Sequence, residues 1–337
     1  MSIIEANGLT RTFRAGRQTV AAVRGVDVRV QPGEIVGFLG PNGAGKTTTL
    51  RMLTTLLQPT SGTARIAGAD LRTEPREVRR RIGYVAQYGG TDPNALVEEE
   101  LFLQARLYRI GAGPARRRVA TLLTQLDLDG LGTRPVGSLS GGQRRRLDIA
   151  LGLVHEPQIV FLDEPTAGLD PHSRNNLWEH IRRLRDENGT TVFLTTHYLD
   201  EADALCDRIL VIDHGRIVAE DTPANLKRQL AADVLTVDVA GDPDAARRLL
   251  AGLPGVRQAA VTAAGGLQVT LADGEQGIID VITTLAGAGF GVRALQLARP
   301  SLDDVFLTLT GRGLRDDPNG PTPPTPTTER AEHVPAR

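Results

Sequence analysis

The stretch Gly40-Pro41-Asn42-Gly43-Ala44-Gly45-Lys46-Thr47-Thr48 fits the pattern G-x-x-x-x-G-K-[ST]. In that pattern a glycine-rich turn leaves backbone N–H groups free to cradle nucleotide phosphates, the lysine adds a full charge and the hydroxyl after it reaches Mg²⁺. Three glycines alone would mark only a turn. Lys46 and Thr47 at this spacing make the loop a candidate site for the phosphates of a nucleotide.

Further groups along the chain have types that suit phosphoryl transfer. Asp163 and Glu164 close the apolar run Ile159-Val160-Phe161-Leu162, so Asp163 can hold Mg²⁺ through water and Glu164 can polarise an attacking water. Gln87 and His197 each follow an apolar run, and His197 can reach a γ-phosphate from such a position. Ser140-Gly141-Gly142-Gln143 offers an N-cap and two glycines beside a helix start, a second place where backbone can approach an anion, although a cap and turn is the plainer use. Phe13 is an aromatic ahead of the phosphate loop that either stacks on adenine, packs in the core or stands exposed.

The elements that must carry these groups are legible in the hydrophobic pattern. Glu34–Leu39 reads as a short buried strand before the loop, and Leu50, Leu53, Thr54 and Leu57 recur at helical spacing behind it, starting near Lys46. Residues 3–9 and 20–30 alternate apolar and polar, as half-exposed antiparallel strands do. Ile82–Ala86, Ile159–Leu162 and Thr191–Thr196 are buried strands, the last two continuous apolar or β-branched runs of the parallel kind. Ile209–Ile212 and Arg216–Val218 close the sheet around a turn at Asp213-His214-Gly215. From about 90 to 155 the pattern is helical, with Val119, Leu122, Leu123 and Leu126 on one face. Ala167–Pro171 is a loop before a helix through Trp178, Ile181 and Leu184.

Composition narrows the class. The 337 residues carry a formal charge of −1 and 40% hydrophobic residues, a soluble globular balance with no global basic field for nucleic acid. Lys46 and Lys227 are the only lysines, and Cys206 is the only cysteine, which excludes an intrachain disulfide framework and a multi-thiolate zinc site. The N-terminus lacks a signal-peptide pattern and no 18 apolar residues run together, so the expectation is a reducing, cytosolic home.

Taken together, the loop at 40–47, Gln87, Leu139-Ser140-Gly141-Gly142-Gln143, Asp163-Glu164, Gly168-Leu169-Asp170 and His197 resemble, in order and spacing, an ABC transporter nucleotide-binding subunit over residues 1–225. The resemblance implies an α/β fold, a P-loop NTPase ABC cassette with a RecA-like mixed sheet core, an antiparallel β subdomain and a helical subdomain. It also implies a homodimer that sandwiches two ATP molecules head to tail, because one loop and one signature per chain cannot complete a sandwich. Ser140, Gly141 and Gly142 would then face the γ-phosphate held by the other subunit. Gln87 would ligand Mg²⁺ and sense the membrane partner, Asp170 would communicate across the dimer, and His197 would act as the γ-phosphate switch. Phe13 stands where the family commonly has Tyr.

From residue 234 the periodicity changes to strand, helix, strand, strand, helix, strand: Val234–Val239, Pro243–Leu253, Val256–Val261, Leu267–Leu271, Glu275–Ala288 and Val292–Leu297. The order βαββαβ predicts a small α+β ferredoxin-like domain. A short amphipathic helix capped by Ser301 follows. This region is similar to that of exporter ATPases of the daunorubicin-resistance type, where it would either stabilise the dimer or regulate pairing and coupling. The expected domains are 1–228 for the ATPase, 229–310 for the C-terminal domain, and a proline-rich disordered tail at 311–337. The sequence thus points to an ATPase subunit at the cytoplasmic face of the membrane, driving a separate integral membrane permease that exports a hydrophobic small molecule such as an antibiotic. The alternatives are a lipid or polysaccharide exporter, or a non-transport ABC protein acting on ribosomes or DNA. That last type typically carries two cassettes, a long coiled coil or cysteine-rich modules, none of which is present.

Overall fold

The structure is a computed structural model that describes residues 2–15, 18–230, 233–262, 265–272, 274–298 and 301–311. Apart from Gly311, the tail expected to be disordered lies outside the described residues.

The chain opens with two long antiparallel strands, β1 (Ile4–Ala15) and β2 (Gln18–Val30), followed by β3 (Ile35–Leu39) and α1 (Lys46–Leu53). Strands β4 (Ser61–Ile66) and β5 (Ala69–Asp70) join β1 and β2 in a four-stranded antiparallel sheet ordered β2-β1-β4-β5. Helix α2 (Pro75–Arg81) leads into β6 (Ile82–Val85). A helical lobe follows: α3 (Val97–Leu107), α4 (Ala112–Gln125) and α5 (Gly141–Leu153). The chain then alternates through β7 (Ile159–Asp163), α6 (Pro171–Asn188), β8 (Thr191–Thr196) and α7 (Leu199–Leu205). It closes the first body with β9 (Arg208–Asp213), β10 (Arg216–Asp221) and α8 (Pro223–Leu230).

The central sheet has the order β10-β9-β3-β8-β7-β6, parallel throughout except for the β9–β10 hairpin. β3, β7 and β8 are buried along their whole length, as continuous apolar runs require when both faces are covered. Alternation divides their side chains between two cores. Val36 and Phe38 face the antiparallel sheet, where the Phe193 ring lies 5.7 Å from both Phe38 and Phe161, while Ile35 and Leu39 face the helices. Because the parallel strands all point the same way, their carboxyl ends bring distant segments to one edge.

Helix α1 is shorter than the apolar spacing predicts. Thr54 bonds its hydroxyl back to the Leu50 carbonyl at 2.9 Å, the chain turns left-handed at Thr55, and Leu57 falls outside the helix.

The C-terminal segment runs β11 (Asp233–Ala240), α9 (Pro243–Leu250), β12 (Val256–Val261), β13 (Leu267–Leu271), α10 (Gly274–Gly287) and β14 (Gly291–Ala298). Its sheet is wholly antiparallel in the order β12-β13-β11-β14, the ferredoxin-like arrangement predicted from βαββαβ, with its own apolar core. Helix α9 ends at Leu250, one turn before the predicted limit.

Helix α11 (Leu302–Thr310) does not stay with that sheet. It starts from a Ser301–Asp304 capping box and buries Leu302, Val305 and Phe306 in the same cluster as Leu205 of α7 and Leu226 of α8. The end of the described chain therefore returns to the ATPase core.

Candidate active site

The phosphate loop connects β3 to α1, and two of its glycines are required by close packing. A Cβ on Gly40 would come within 2.3 Å of the Ile212 carbonyl oxygen. One on Gly45 would come within 2.6 Å of the Ala22 carbonyl oxygen, at a left-handed φ of 107°. Lys46 is buried at the start of α1, and its Nζ donates to the loop's own carbonyls, Gly40 O at 2.7 Å and Pro41 O at 3.1 Å. Its ammonium is thereby centred over the cradle, at the positive end of the helix.

The two acids converge on this point. Thr47 Oγ1 donates to Asp163 Oδ1 over 3.2 Å, and Thr195 Oγ1 donates to the same oxygen over 2.6 Å. Glu164 Oε1 lies 3.5 Å from Lys46 Nζ and 3.2 Å from His197 Nδ1, while Gln87 Nε2 donates to Glu164 Oε2 over 3.0 Å. Lys46, Gln87 and His197, spread over more than a hundred residues of sequence, are within direct reach of the Glu164 carboxylate. Burial works to raise the Glu164 pKa, but the His197 hydrogen bond and the charge of Lys46 outweigh it and hold the carboxyl below its usual value. Glu164 therefore stays ionised at neutral pH and able to accept a proton. Its backbone is left-handed, φ 45°, and is pinned by N–H donation to Thr195.

The donor set suits ATP with a divalent cation. A glycine cradle, a buried ammonium, a threonine hydroxyl and an aspartate 3.2 Å apart, and a glutamine side chain are hard oxygen ligands and phosphate donors of the type such a complex takes.

The signature residues sit elsewhere. Ser140 caps α5 reciprocally with Gln143: Gln143 N donates to Ser140 Oγ at 3.2 Å and Ser140 N donates to Gln143 Oε1 at 3.0 Å. Asp170 caps α6 by accepting from Ser173 N and Ser173 Oγ. The two caps are neighbours, since a Cβ on Gly142 would approach Ser173 Oγ to 3.0 Å. Ser140 and Gly141 are exposed, so this second anion-ready helix end faces outward. Phe13 stands exposed on β1 opposite Val20, with the Arg11 guanidinium 4.7 Å over its ring.

Three further residues at the site, Thr195, Arg145 and Glu201, belong to no motif of the sequence. Thr195 has only the pattern of a strand residue. Arg145 is one arginine in the run Arg144-Arg145-Arg146, and Glu201 lies in the first turn of α7 after His197. All three are buried. A charge among apolar neighbours at helical spacing is the only signal that marks Arg145 and Glu201, and Thr195 carries none beyond its place near the end of β8.

Residues 23–167 match the ABC transporter family, and residues 222–310 match the C-terminal domain of the ATP-binding protein DrrA1-3-like family. The daunorubicin/doxorubicin resistance ATP-binding protein DrrA of Streptomyces peucetius is 45% identical over 93% of this chain and 94% of its own length. The chain belongs to the ABC transporter ATP-binding proteins of this daunorubicin/doxorubicin-resistance type. As a member of that family it is an ATP-binding protein and an ATPase. The doxorubicin resistance ATP-binding protein DrrA of Mycobacterium tuberculosis is 41% identical over 91% of the chain and 93% of its own. Nod factor export ATP-binding protein I of Ralstonia nicotianae is 40% identical over 93% and 95%. The dimeric, post-hydrolysis ATP-binding cassette MJ0796 bound to ADP and Pi superposes with a TM-score of 0.60 at 28% identity, covering 65% of this chain and 98% of that one. The ABC fold expected from the motifs is thus the fold observed. Among the described residues no helix is long and apolar enough to cross a membrane.

Proposed function

We propose that this ATPase powers a separately encoded integral membrane permease that exports a hydrophobic small molecule such as an antibiotic, working from the cytoplasmic face of the membrane. The observation that carries this reading is the extent of the likeness. It runs at 45% identity through 93% of the chain, including the C-terminal domain, to a protein named for daunorubicin and doxorubicin resistance. The division into an ATPase domain at 1–228, a C-terminal domain at 229–310 and a tail belongs to the same proposal.

In this reading Glu164 accepts the proton of a water that attacks the γ-phosphorus as the bond to the ADP oxygen breaks, and His197, 3.2 Å from Glu164, contacts the γ-phosphate. Lys46 and the loop of residues 40–48 bind the phosphates, with every residue but Pro41 carrying a backbone N–H. Mg²⁺, when bound, supplies charge neutralisation on the phosphoryl oxygens, and Thr47, Asp163 and Gln87 are the residues that would hold it. Phe13 would offer its ring to adenine. Two copies would pair so that Ser140, Gly141, Gly142, Gln143 and Asp170 of each complete the nucleotide site of the other. The outward-facing caps support this, because neither serves the chain's own loop.

A second reading, a different exported class, is favoured by the Nod factor export relatives at 40% identity. The test is a pull-down of the tagged chain from detergent-solubilised membranes with and without ATP. Co-purification of a polytopic membrane protein that stimulates hydrolysis is expected, and that partner then separates the two readings by what it exports. Recovery of ribosomes or DNA in its place would remove the transport reading.

A further inference from the structure

Arg145 lies on α5, two residues past Gln143, with 6% of its surface exposed. Its guanidinium reaches out of the helical lobe into the central sheet. Nε donates to Pro165 O at 2.8 Å, Nη1 to Ala86 O at 2.6 Å and Nη2 to Asp163 O at 3.0 Å. Asp148, one turn along the same helix, stands 3.8 Å away and balances the charge. The three acceptors bracket the reacting groups: Ala86 precedes Gln87, and Asp163 and Pro165 flank Glu164. Ala86 and Pro165 lie beyond the ends of β6 and β7, and Asp163 is the last residue of β7. A planar fork of donors in fixed geometry can span three such acceptors, and a flexible ammonium cannot.

The other side of the same segment is held by β8, where Thr195 accepts the Glu164 N–H and donates to Asp163. Glu164 is thus clamped in its left-handed conformation between the sheet and the helical lobe. We infer that Arg145 is a positioning residue for ATP hydrolysis: it fixes Gln87 and Glu164 in the register in which their side chains bond, and it makes that register depend on where α5 stands. The signature residues proposed to meet the partner's nucleotide begin this same helix, so a shift of the lobe moves the chain's own base. This inference rests on the ATPase reading of the loop and Glu164.

The test uses the full chain and compares wild type, Arg145→Gln, Arg145→Lys and Gln87→Ala, with Arg118→Ala as a control. Arg118 is another largely buried arginine bonded to a carbonyl, Leu153 O at 2.8 Å, at the far end of α5. Both Arg145 variants should lose about 100-fold in kcat, the scale of an ångström-sized misplacement. Their dissociation constant for a fluorescent ATP analogue should stay within about threefold of wild type, since ground-state binding does not use this contact. Arg118→Ala should lose melting temperature and keep kcat. In the Arg145→Gln/Gln87→Ala double variant the losses should not multiply, because both act through one geometry. If Arg145→Gln does not fold, Arg145→Lys decides, as it keeps the charge beside Asp148 and loses the span. An unchanged kcat, a loss of kcat matched by lost nucleotide binding, or fully multiplying losses would each overturn the role. A wild-type chain without turnover would remove the ATPase reading itself, whereas turnover in wild type with intact variants removes only the inference.

Discussion

The Gln87 side-chain amide donates a 3.0 Å hydrogen bond to Glu164 Oε2, joining the entry to the helical lobe with the carboxylate beside the phosphate loop. That one bond puts the segment proposed to sense the permease in contact with the proposed base. It follows that Glu164→Gln, which keeps an acceptor for Gln87 and removes the proton acceptor for water, should retain ATP binding and slow hydrolysis by about two or more orders of magnitude. Equilibrium nucleotide binding alongside single-turnover hydrolysis checks it, and undiminished turnover would assign the base elsewhere.

Divalent cation removal should stop turnover reversibly. Thr47 and Asp163 share a 3.2 Å hydrogen bond at the loop, and the proposed ion would sit against both. A chelator should abolish hydrolysis and added Mg²⁺ restore it. Thr47→Ala should raise the Mg²⁺ concentration needed for half-maximal rate, read from rate against free Mg²⁺.

Glu201 predicts a pH dependence of stability. It is fully buried, receives hydrogen bonds from Thr166 Oγ1 at 2.8 Å and Trp178 Nε1 at 3.2 Å, and thereby links α7, just past His197, to the loop before Asp170. Burial pushes its carboxyl above the ordinary 4.5, and the hydrogen bonds from Thr196, Thr166 and Trp178 only partly oppose this. The folded state therefore favours the neutral acid. The stability that this preference confers is complete below 4.5 and is lost as the pH climbs through the raised value. Glu201→Gln removes the ionisation, so its melting temperature should fall less than that of wild type between pH 4.5 and 7. Melting curves across that range are the measurement, and parallel curves for the two proteins would reject the assignment.

Phe306 is 1% exposed and packs in one cluster with Leu205 and Leu226, so the end of the C-terminal segment contributes to the ATPase core. Phe306→Ala should cost about 3 to 5 kcal/mol, the usual loss for a large buried aromatic. Denaturant unfolding followed by the fluorescence of Trp178, which borders that cluster, should show the loss. An unchanged midpoint at Trp178 would mean that α11 is no part of the core.

Much of this was fixed by the order of residues alone. The phosphate loop is built from the backbone of one continuous stretch, so its pattern is complete in sequence, and Lys46 and Thr47 are placed by the helix that starts there. The parallel strands are legible because burial on both faces demands unbroken apolar runs, and the ferredoxin-like sheet because its four strands alternate or pack on their own helices. The capping box of Ser140 and Gln143 is likewise local. The contacts that organise the site are not. Arg145 meets Ala86 across 59 residues and Gln87 meets Glu164 across 77. Both pairings are set by the parallel sheet, which brings separate strand ends to one edge. In sequence Arg145 is one arginine among three, and only the packing of α5 on that edge gives it three carbonyls while its neighbours turn elsewhere. The destination of α11 was undetermined for the same reason: an amphipathic helix specifies that its apolar face is covered, and the tertiary fold decides by what.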